Sequence, residues 1–253
     1  MSESGRDAEA LGQLEQAIAL DASQVRGHIR LGNVLRALSR TGEAVEAYGR
    51  AMELRPSDPF ILSNLGNAWL DLGESGRAID CYRQSLAIYP DAPATHSNLI
   101  FALQYDSRIS REEIAIDHRE WGERFGGEPA EPAERPEYDG QRSLRVGFLS
   151  ADFRYHPVGR MASAVWQHLD REGVTPIVYD NSSDETPTKQ RYRGLVESWH
   201  NIAGQSDAEV VQLMRSDRLD VLLDFSGHTS GNRLGVLEQK PAPVQATFFG
   251  YTN

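Results

Sequence analysis

The run "LRVGFLSADFRYHPVGRM", Leu144 to Met161, sets a histidine directly before a proline where an apolar, strand-like stretch gives way to a helix-like one. Proline suits the first position of a helix, because the amide proton it lacks would have no intrahelical partner there. His156 then stands at the strand-to-helix turn, beside the positive end of the helix. That field disfavours imidazolium and favours the neutral ring. A neutral imidazole at a ligand rim can take a proton from a hydroxyl. The plain alternative is a turn histidine that does no chemistry. Two more polar clusters follow apolar runs: "DFSGHTSGNR" (residues 224–233) and "FGYTN" (residues 249–253). Ser226 and His228 lie two apart on one loop, a poor arrangement for a hydrolase triad. The chain has no G-x-G-x-x-G after its first strand-like run, no P-loop, no G-x-S-x-G elbow and no His or Cys pairs at zinc spacing.

The elements that must position these clusters alternate. "LRVGFLS", "VTPIVYD", "LDVLLDFSG" and "APVQATFFGYT" read as strands, and "HPVGRMASAVWQHLD", "TPTKQRYRGLVESWH" and "SDAEVVQLMRSDR" as helices. Strands alternating with helices imply a parallel sheet with right-handed crossovers. Ligands of such sheets bind at the carboxyl ends of the strands, where all three clusters fall.

The first half of the chain is different, because it repeats. With a shift of 34 residues, Leu31 falls on Leu65, Gly32 on Gly66, Asn33 on Asn67, Gly42 on Gly76, Ala44 on Ala78, Tyr48 on Tyr82 and Pro56 on Pro90. This is the period of the tetratricopeptide repeat, a pair of amphipathic helices that must stack on its neighbours to bury its apolar face. Gly32, Ala44 and Ala78 stand where paired helices approach closely, and Pro56 and Pro90 end the second helix of each unit. A third unit starts near Pro93. Ile100 replaces its glycine, and Ser110 and Glu113 have capping-box spacing at the start of its second helix. Residues 8–22 fit only the second helix of an earlier unit. Asn64 and Asn98, 34 apart, fall on one face of the superhelix, where side-chain amides can hold an extended peptide backbone or can bridge repeats. Arg30 interrupts this ladder in the first full unit. His28, His96 and Cys81 read as packing residues. Residues 126–141, rich in Pro, Gly and Glu, read as a linker between a repeat domain (1–125) and an α/β lobe (142–253).

Composition narrows the classes. The chain has 253 residues and a formal net charge of -11, which argues against a general nucleic-acid or anionic-membrane binder. One cysteine excludes an intrachain disulfide. The first residues lack the basic and apolar regions of a signal peptide, so the cytoplasm is expected, and the "NSS" at Asn181 reads as a chance sequon.

The motifs "LRVGFLSADFRYHPVGRM", "LLDFSGHTSGNRLGVL" and "KPAPVQATFFGYTN" resemble the first catalytic half of the O-linked N-acetylglucosamine transferase and SPINDLY-like glycosyltransferase family, which also carries tetratricopeptide repeats before its catalytic region. The resemblance implies a two-lobed GT-B fold of which this chain holds the first, Rossmann-like lobe. It implies inverting transfer from a UDP-sugar to Ser or Thr of proteins, with GlcNAc the expected sugar, no cofactor, no metal, and acceptors gripped by Asn64 and Asn98. His156 matches the family histidine beside donor and acceptor. Gly250 and Tyr251 match the segment bordering the sugar pocket, and His228 falls in a substrate-side segment where the family also tolerates tyrosine. Asp152 and Arg233 are expected to support the site from behind, and Thr252 stands where many members have proline. In the family the nucleotide-binding lobe follows this point. The chain is therefore expected to be a fragment with negligible transferase activity alone, lacking groups that neutralise a departing pyrophosphate. The alternative from another class is a non-catalytic scaffold that binds protein partners.

Overall fold

The computed structural model describes residues 3–126, 131, 133, 134, 138 and 140–248. The chain divides into two compact units, Met1–His118 and Arg119–Asn253. The first holds helices α1 (Glu3–Leu20), α2 (Val25–Ala37), α3 (Thr41–Leu54), α4 (Pro59–Asp71), α5 (Ser75–Ile88) and α6 (Pro93–Leu103); α7 (Arg111–Phe125) crosses the division. No helix among the described residues is long and apolar enough to cross a membrane.

The residues that recur along the repeat work as one packing device. A Cβ on Gly32 would lie 2.5 Å from the Tyr48 ring, and one on Gly66 would lie 2.6 Å from the Tyr82 ring. The glycine gives each tyrosine room to pack against the partner helix. Both rings are fully buried, so each hydroxyl needs a partner. Tyr48 Oη donates to Asn33 Oδ1 at 2.6 Å, and Tyr82 Oη to Asn67 Oδ1 at 2.7 Å. In the third unit Ile100 fills the glycine's place and is fully buried, while Ile116, at the tyrosine's position, is exposed. α3 and α5 each end two residues before a proline. The box at the start of α7 closes: Ser110 N–H donates to Glu113 Oε2 at 2.8 Å and Glu113 N–H to Ser110 Oγ at 3.2 Å.

The second unit is a five-stranded, all-parallel sheet in the order β3-β2-β1-β4-β5. Its strands are β1 (Leu144–Ser150), β2 (Val174–Asp180), β3 (Ser198–Asn201), β4 (Val221–Asp224) and β5 (Val244–Thr247), with helices α8 (Pro157–His168), α9 (Pro187–Arg193), α10 (Asp207–Ser216) and α11 (Leu234–Glu238). The central strand β1 pairs Val146 with Val221 on one side and Leu144 with Val174 on the other. A sheet buried on both faces needs near-continuous apolar strands, which β1, β2 and β4 supply. On one face Leu149, Ile177, Tyr179 and Leu222 pack with Val210 and Met214 of α10. On the other Phe148, Val178 and Phe225 pack with Phe153, Trp166 of α8 and Tyr192 of α9.

One element differs from the expectation. "TPTKQRYRGLVESWH" is not a single helix: α9 stops at Arg193 with Gly194 as its C-cap, and the rest turns into the edge strand β3. Glycine weakens a helix interior, and the β-favouring Trp199 finds a place beside Phe153 and Trp166. The seven described residues of the expected linker (126, 131, 133, 134, 138, 140 and 141) lie outside helices and strands, and Ala133 N–H donates to Lys240 O at 3.0 Å.

Candidate functional site

Because every strand pair is parallel, all five carboxyl ends lie along one edge of the sheet. The loops there are cross-linked. Ser150 Oγ, ending β1, lies 3.2 Å from Ser226 Oγ in the loop after β4 and accepts the Asp152 N–H at 3.0 Å. Asn181, following β2, donates from Nδ2 to Gly231 O at 2.9 Å, and Phe248 N–H donates to Asp224 O at 2.7 Å. Gly231 has φ +77, and a Cβ there would come within 2.7 Å of Ala151 Cβ, so glycine lets the two loops close on each other. The first two polar clusters are thus joined at one rim. The third, including Gly250, Tyr251 and Thr252, lies outside the described residues.

The turn from β1 into α8 explains the odd sequence at its end. The carbonyls of Asp152 and Arg154 fold back on the first turn of the helix. A Cβ at position 159 would lie 2.3 Å from Arg154 O, so this place requires Gly159. Phe153 points inward and is fully buried, anchoring the turn. Pro157 opens the helix, and His156 is its N-cap in an extended conformation. The His156 ring does the capping: Nδ1 accepts the Val158 N–H at 3.3 Å. Asp152 Oδ2 stands 3.9 Å from the same nitrogen, and Arg154 Nη2 lies 3.3 Å from Asp152 Oδ1. The side chain is 40% exposed.

Asp224 closes the rim from below. Its buried carboxylate accepts N–H groups from Ser226 at 3.1 Å and Gly227 at 2.8 Å, which fixes the "DFSGHT" turn. Burial raises its pKa above the ordinary carboxylate range, against those two N–H groups, which pull it down. His228 is nearly buried and meets Trp121 edge-on, with ring centroids 5.0 Å apart.

Residues 107–253 match the family described as Glycosyl transferase family 41, and residues 32–73 and 59–92 match tetratricopeptide-repeat families. The chain belongs to glycosyl transferase family 41. Among its relatives, "Probable UDP-N-acetylglucosamine--peptide N-acetylglucosaminyltransferase SPINDLY" of Hordeum vulgare is 32% identical over 162 residues, covering 62% of this chain and 17% of that protein. The UDP-N-acetylglucosamine–peptide N-acetylglucosaminyltransferase of Caenorhabditis elegans is 25% identical over 165 residues, covering 62% of this chain and 14% of that one. A solved O-GlcNAc transferase mutant from Thermobaculum terrenum superposes on 99% of the chain with TM-score 0.88 and 26% identity, and the chain covers 52% of it. The chain thus spans about a sixth of its curated relatives and about half of that solved transferase. Its sheet is the first lobe of a GT-B fold, preceded by tetratricopeptide helices.

Other expected site residues of this family-41 chain fall into distinct roles. Arg233 is tied away from the rim: its guanidinium donates to Asp207 Oδ1 at 2.6 Å, Gln205 O at 2.8 Å and Ile202 O at 2.9 Å, pinning the start of α10. On the repeats, Asn98 Nδ2 donates to Asn67 Oδ1 at 3.0 Å, so this amide bridges units through the oxygen that Tyr82 also uses. Asn64 is half-buried and carries no hydrogen bond within the described residues. Sequence reasoning passed over the buried group beyond β2. Lys189 Nζ lies 2.8 Å from Asp180 Oδ2 and 3.1 Å from Asp184 Oδ1, with Lys189 and Asp180 both fully buried. The Lys189–Asp180 contact is an ion pair without the aim of a hydrogen bond, since Asp180 Oδ2 accepts none. An aspartate ending an apolar strand nine residues before a lysine was the available signal.

Proposed function

We propose that this chain supplies the repeat array and the acceptor-side lobe of an inverting protein O-glycosyltransferase, which moves GlcNAc from UDP-GlcNAc to Ser or Thr hydroxyls of proteins held by the repeats, in the cytoplasm. The observation that carries this reading is the superposition of 99% of the chain on an O-GlcNAc transferase at TM-score 0.88. The UDP-sugar is a substrate, and the reaction uses no resident cofactor or metal. Asn64 offers both functions of its amide to the backbone of an acceptor, whereas Asn98, its nitrogen engaged with Asn67, offers its oxygen. Gly250, Tyr251 and the His228 loop border the sugar.

His156 stands at the reacting end of this arrangement, and its cap decides its role. With Nδ1 accepting the Val158 N–H, the neutral ring carries its proton on Nε2. In that tautomer Nε2 donates and cannot take a proton. The ring therefore orients an oxygen, either the acceptor hydroxyl or a donor-sugar oxygen, and leaves deprotonation to another group. Service as a base would require Nδ1 to give up the Val158 N–H, carry the ring's proton itself and donate it to Asp152 Oδ2, now 3.9 Å away, which leaves Nε2 free to accept.

The test is transfer of radiolabelled GlcNAc from UDP-GlcNAc to a library of Ser- and Thr-containing peptides by the complete gene product. His156→Ala removes a positioned donor to a reacting oxygen and is expected to lower turnover by about a hundredfold or more, with an unchanged unfolding midpoint. Wild-type turnover in that variant would reduce His156 to a structural cap, and no turnover in the parent would return the chain to the scaffold reading.

A further inference from the structure

A groove of about 390 Å³ opens between α8 and α9, lined by Tyr155, Arg160, Ala164 and Gln167 on one side and Arg191 and Leu195 on the other. Its volume lies within the range of ligand pockets, roughly 300–1,000 Å³. Arg160, Ala164 and Gln167 follow one another at helical spacing on α8, and Ala164 has no side chain long enough to close the trough. The floor is rigid, since Trp166 beneath it is fully buried and meets Tyr192 edge-on, with centroids 6.1 Å apart.

The charge in this groove is unspent. Neither the Arg160 nor the Arg191 guanidinium has a hydrogen bond or ion pair among the described residues. The nearby cations are already engaged: Arg193 pairs with Glu185, Arg154 with Asp152, and Lys189 is sealed among Asp180, Ser182 and Asp184. Two free guanidiniums on one cavity run against a chain with 37 acidic and 26 basic residues, in which a spare cation has many acidic groups to find. A guanidinium presents a planar fork of donors that fits a carboxylate or a phosphate monoester in two parallel hydrogen bonds. Tyr155, 81% exposed, adds a hydroxyl donor and a flat face at the groove's end.

We propose that this groove binds anionic side chains, carboxylate or phosphomonoester, of the acceptor polypeptide. The choice of a polypeptide rests on the function proposed above. Tyr155 lines the groove while the adjoining residue, His156, caps the turn at the rim, and successive residues are about 3.8 Å apart. A chain whose hydroxyl lies at His156 would carry its flanking residues into the groove within a few residues of the reacting one. The groove thereby selects serines and threonines that have acidic neighbours.

The experiment uses the 253-residue chain without donor sugar, so its outcome does not depend on whether transfer occurs. Three fluorescein-labelled twelve-residue peptides of Gly and Ser are compared by anisotropy: one with two Glu, one with two phosphoserines, and one with two Gln. The Glu or phosphoserine peptide is expected to bind at least tenfold more tightly than the Gln peptide. Arg160→Ala with Arg191→Ala should erase that preference, as should raising salt, because exposed charges are screened beyond about 8 Å at physiological ionic strength. The difference between the Glu and phosphoserine peptides says which anion the groove takes. Equal binding of all three peptides, or an acidic preference that survives the double substitution, would overturn the proposal. So would inorganic phosphate binding to the groove with no peptide preference. Both arginines are exposed, and circular dichroism of the double variant checks that the fold is kept.

Discussion

Replacing Lys189 by methionine removes the ammonium from the most enclosed charge cluster among the described residues while keeping most of the side-chain volume. Nζ lies 2.8 Å from Asp180 Oδ2 and 3.1 Å from Asp184 Oδ1, and donates to Ser182 Oγ at 2.5 Å and to Asp184 O at 2.7 Å. Asp184 is partly exposed, so water can take over there; Asp180 is fully buried and cannot be rescued that way. Breaking a buried pair by removing one partner costs about 3–5 kcal/mol. Ser182 still gives Asp180 two donors, its hydroxyl at 2.6 Å and its N–H at 3.1 Å. These place the expected loss near the lower figure, about 3 kcal/mol. Set against a total stability of about 5–15 kcal/mol, this is a large loss. Urea unfolding followed by tryptophan fluorescence reads it, since Trp166 and Trp199 belong to the same lobe. The pH dependence supplies the sharper check. Burial already raises the Asp180 carboxyl above its ordinary range, and losing Lys189 removes a group that pulls it down. A carboxyl raised in the folded state binds its proton more readily folded than unfolded. Stability therefore increases as pH falls through the raised folded value towards the ordinary one, near 4. The Lys189→Met deficit should narrow on acidification from pH 7.5 to 5, and adding Asp180→Asn should recover much of it. A loss under about 1 kcal/mol, the range of an exposed pair, or a deficit that widens with acid, would refute the assignment of a buried, mutually dependent pair.

Three further outcomes follow from the geometry. Gly66→Ala would put Cβ 2.6 Å from the Tyr82 ring and should cost about 1–3 kcal/mol. Gly49→Ala in α3, with nothing within 4 Å, should instead gain about 0.5–1 kcal/mol; thermal melts ranking the two the other way contradict the repeat packing. Asp224→Asn should flatten the pH dependence of stability between the ordinary carboxylate range and the raised folded value. In the parent, stability falls as pH rises through that window, because the buried carboxyl must ionise, and an amide has no such transition; an unaltered profile in denaturant melts would count against it. Asp152→Asn in the complete gene product should lower kcat by less than about tenfold if the His156 ring orients an oxygen, because general-base service, which needs Asp152, is worth about a hundredfold or more.

How much of this was legible in the sequence depends on which physics fixed each part. The repeat was readable because one steric constraint recurs. Gly32 and Gly66 exist to clear Tyr48 and Tyr82, and Asn33 and Asn67 exist to satisfy their hydroxyls, so three residues reappear together at each period. The alternation of strands and helices was readable because strands buried on both faces must be apolar throughout. The edge strand β3 was not, because "GLVESWH" continues a helical pattern and only the pairing with β2, Ile177 opposite Ser198, draws it into the sheet. At the rim, the sequence placed His156 on the correct turn but could not reveal the tautomer. That depends on a single contact, 3.3 Å from Nδ1 to the Val158 N–H, which no spacing rule encodes. The Lys189–Asp180 pair was hidden for a related reason. A lysine on a short polar helix reads as solvated, and only the fold of the β2–α9 loop around it removes the water. The unspent arginines are the inverse case, since their sequence context is ordinary. They become informative only when every other cation of that surface has a visible partner and these two do not. On the function proposed above, two charges left without counter-charges one residue from the His156 turn would constrain which acceptor segment can dock there, before any bond is made or broken.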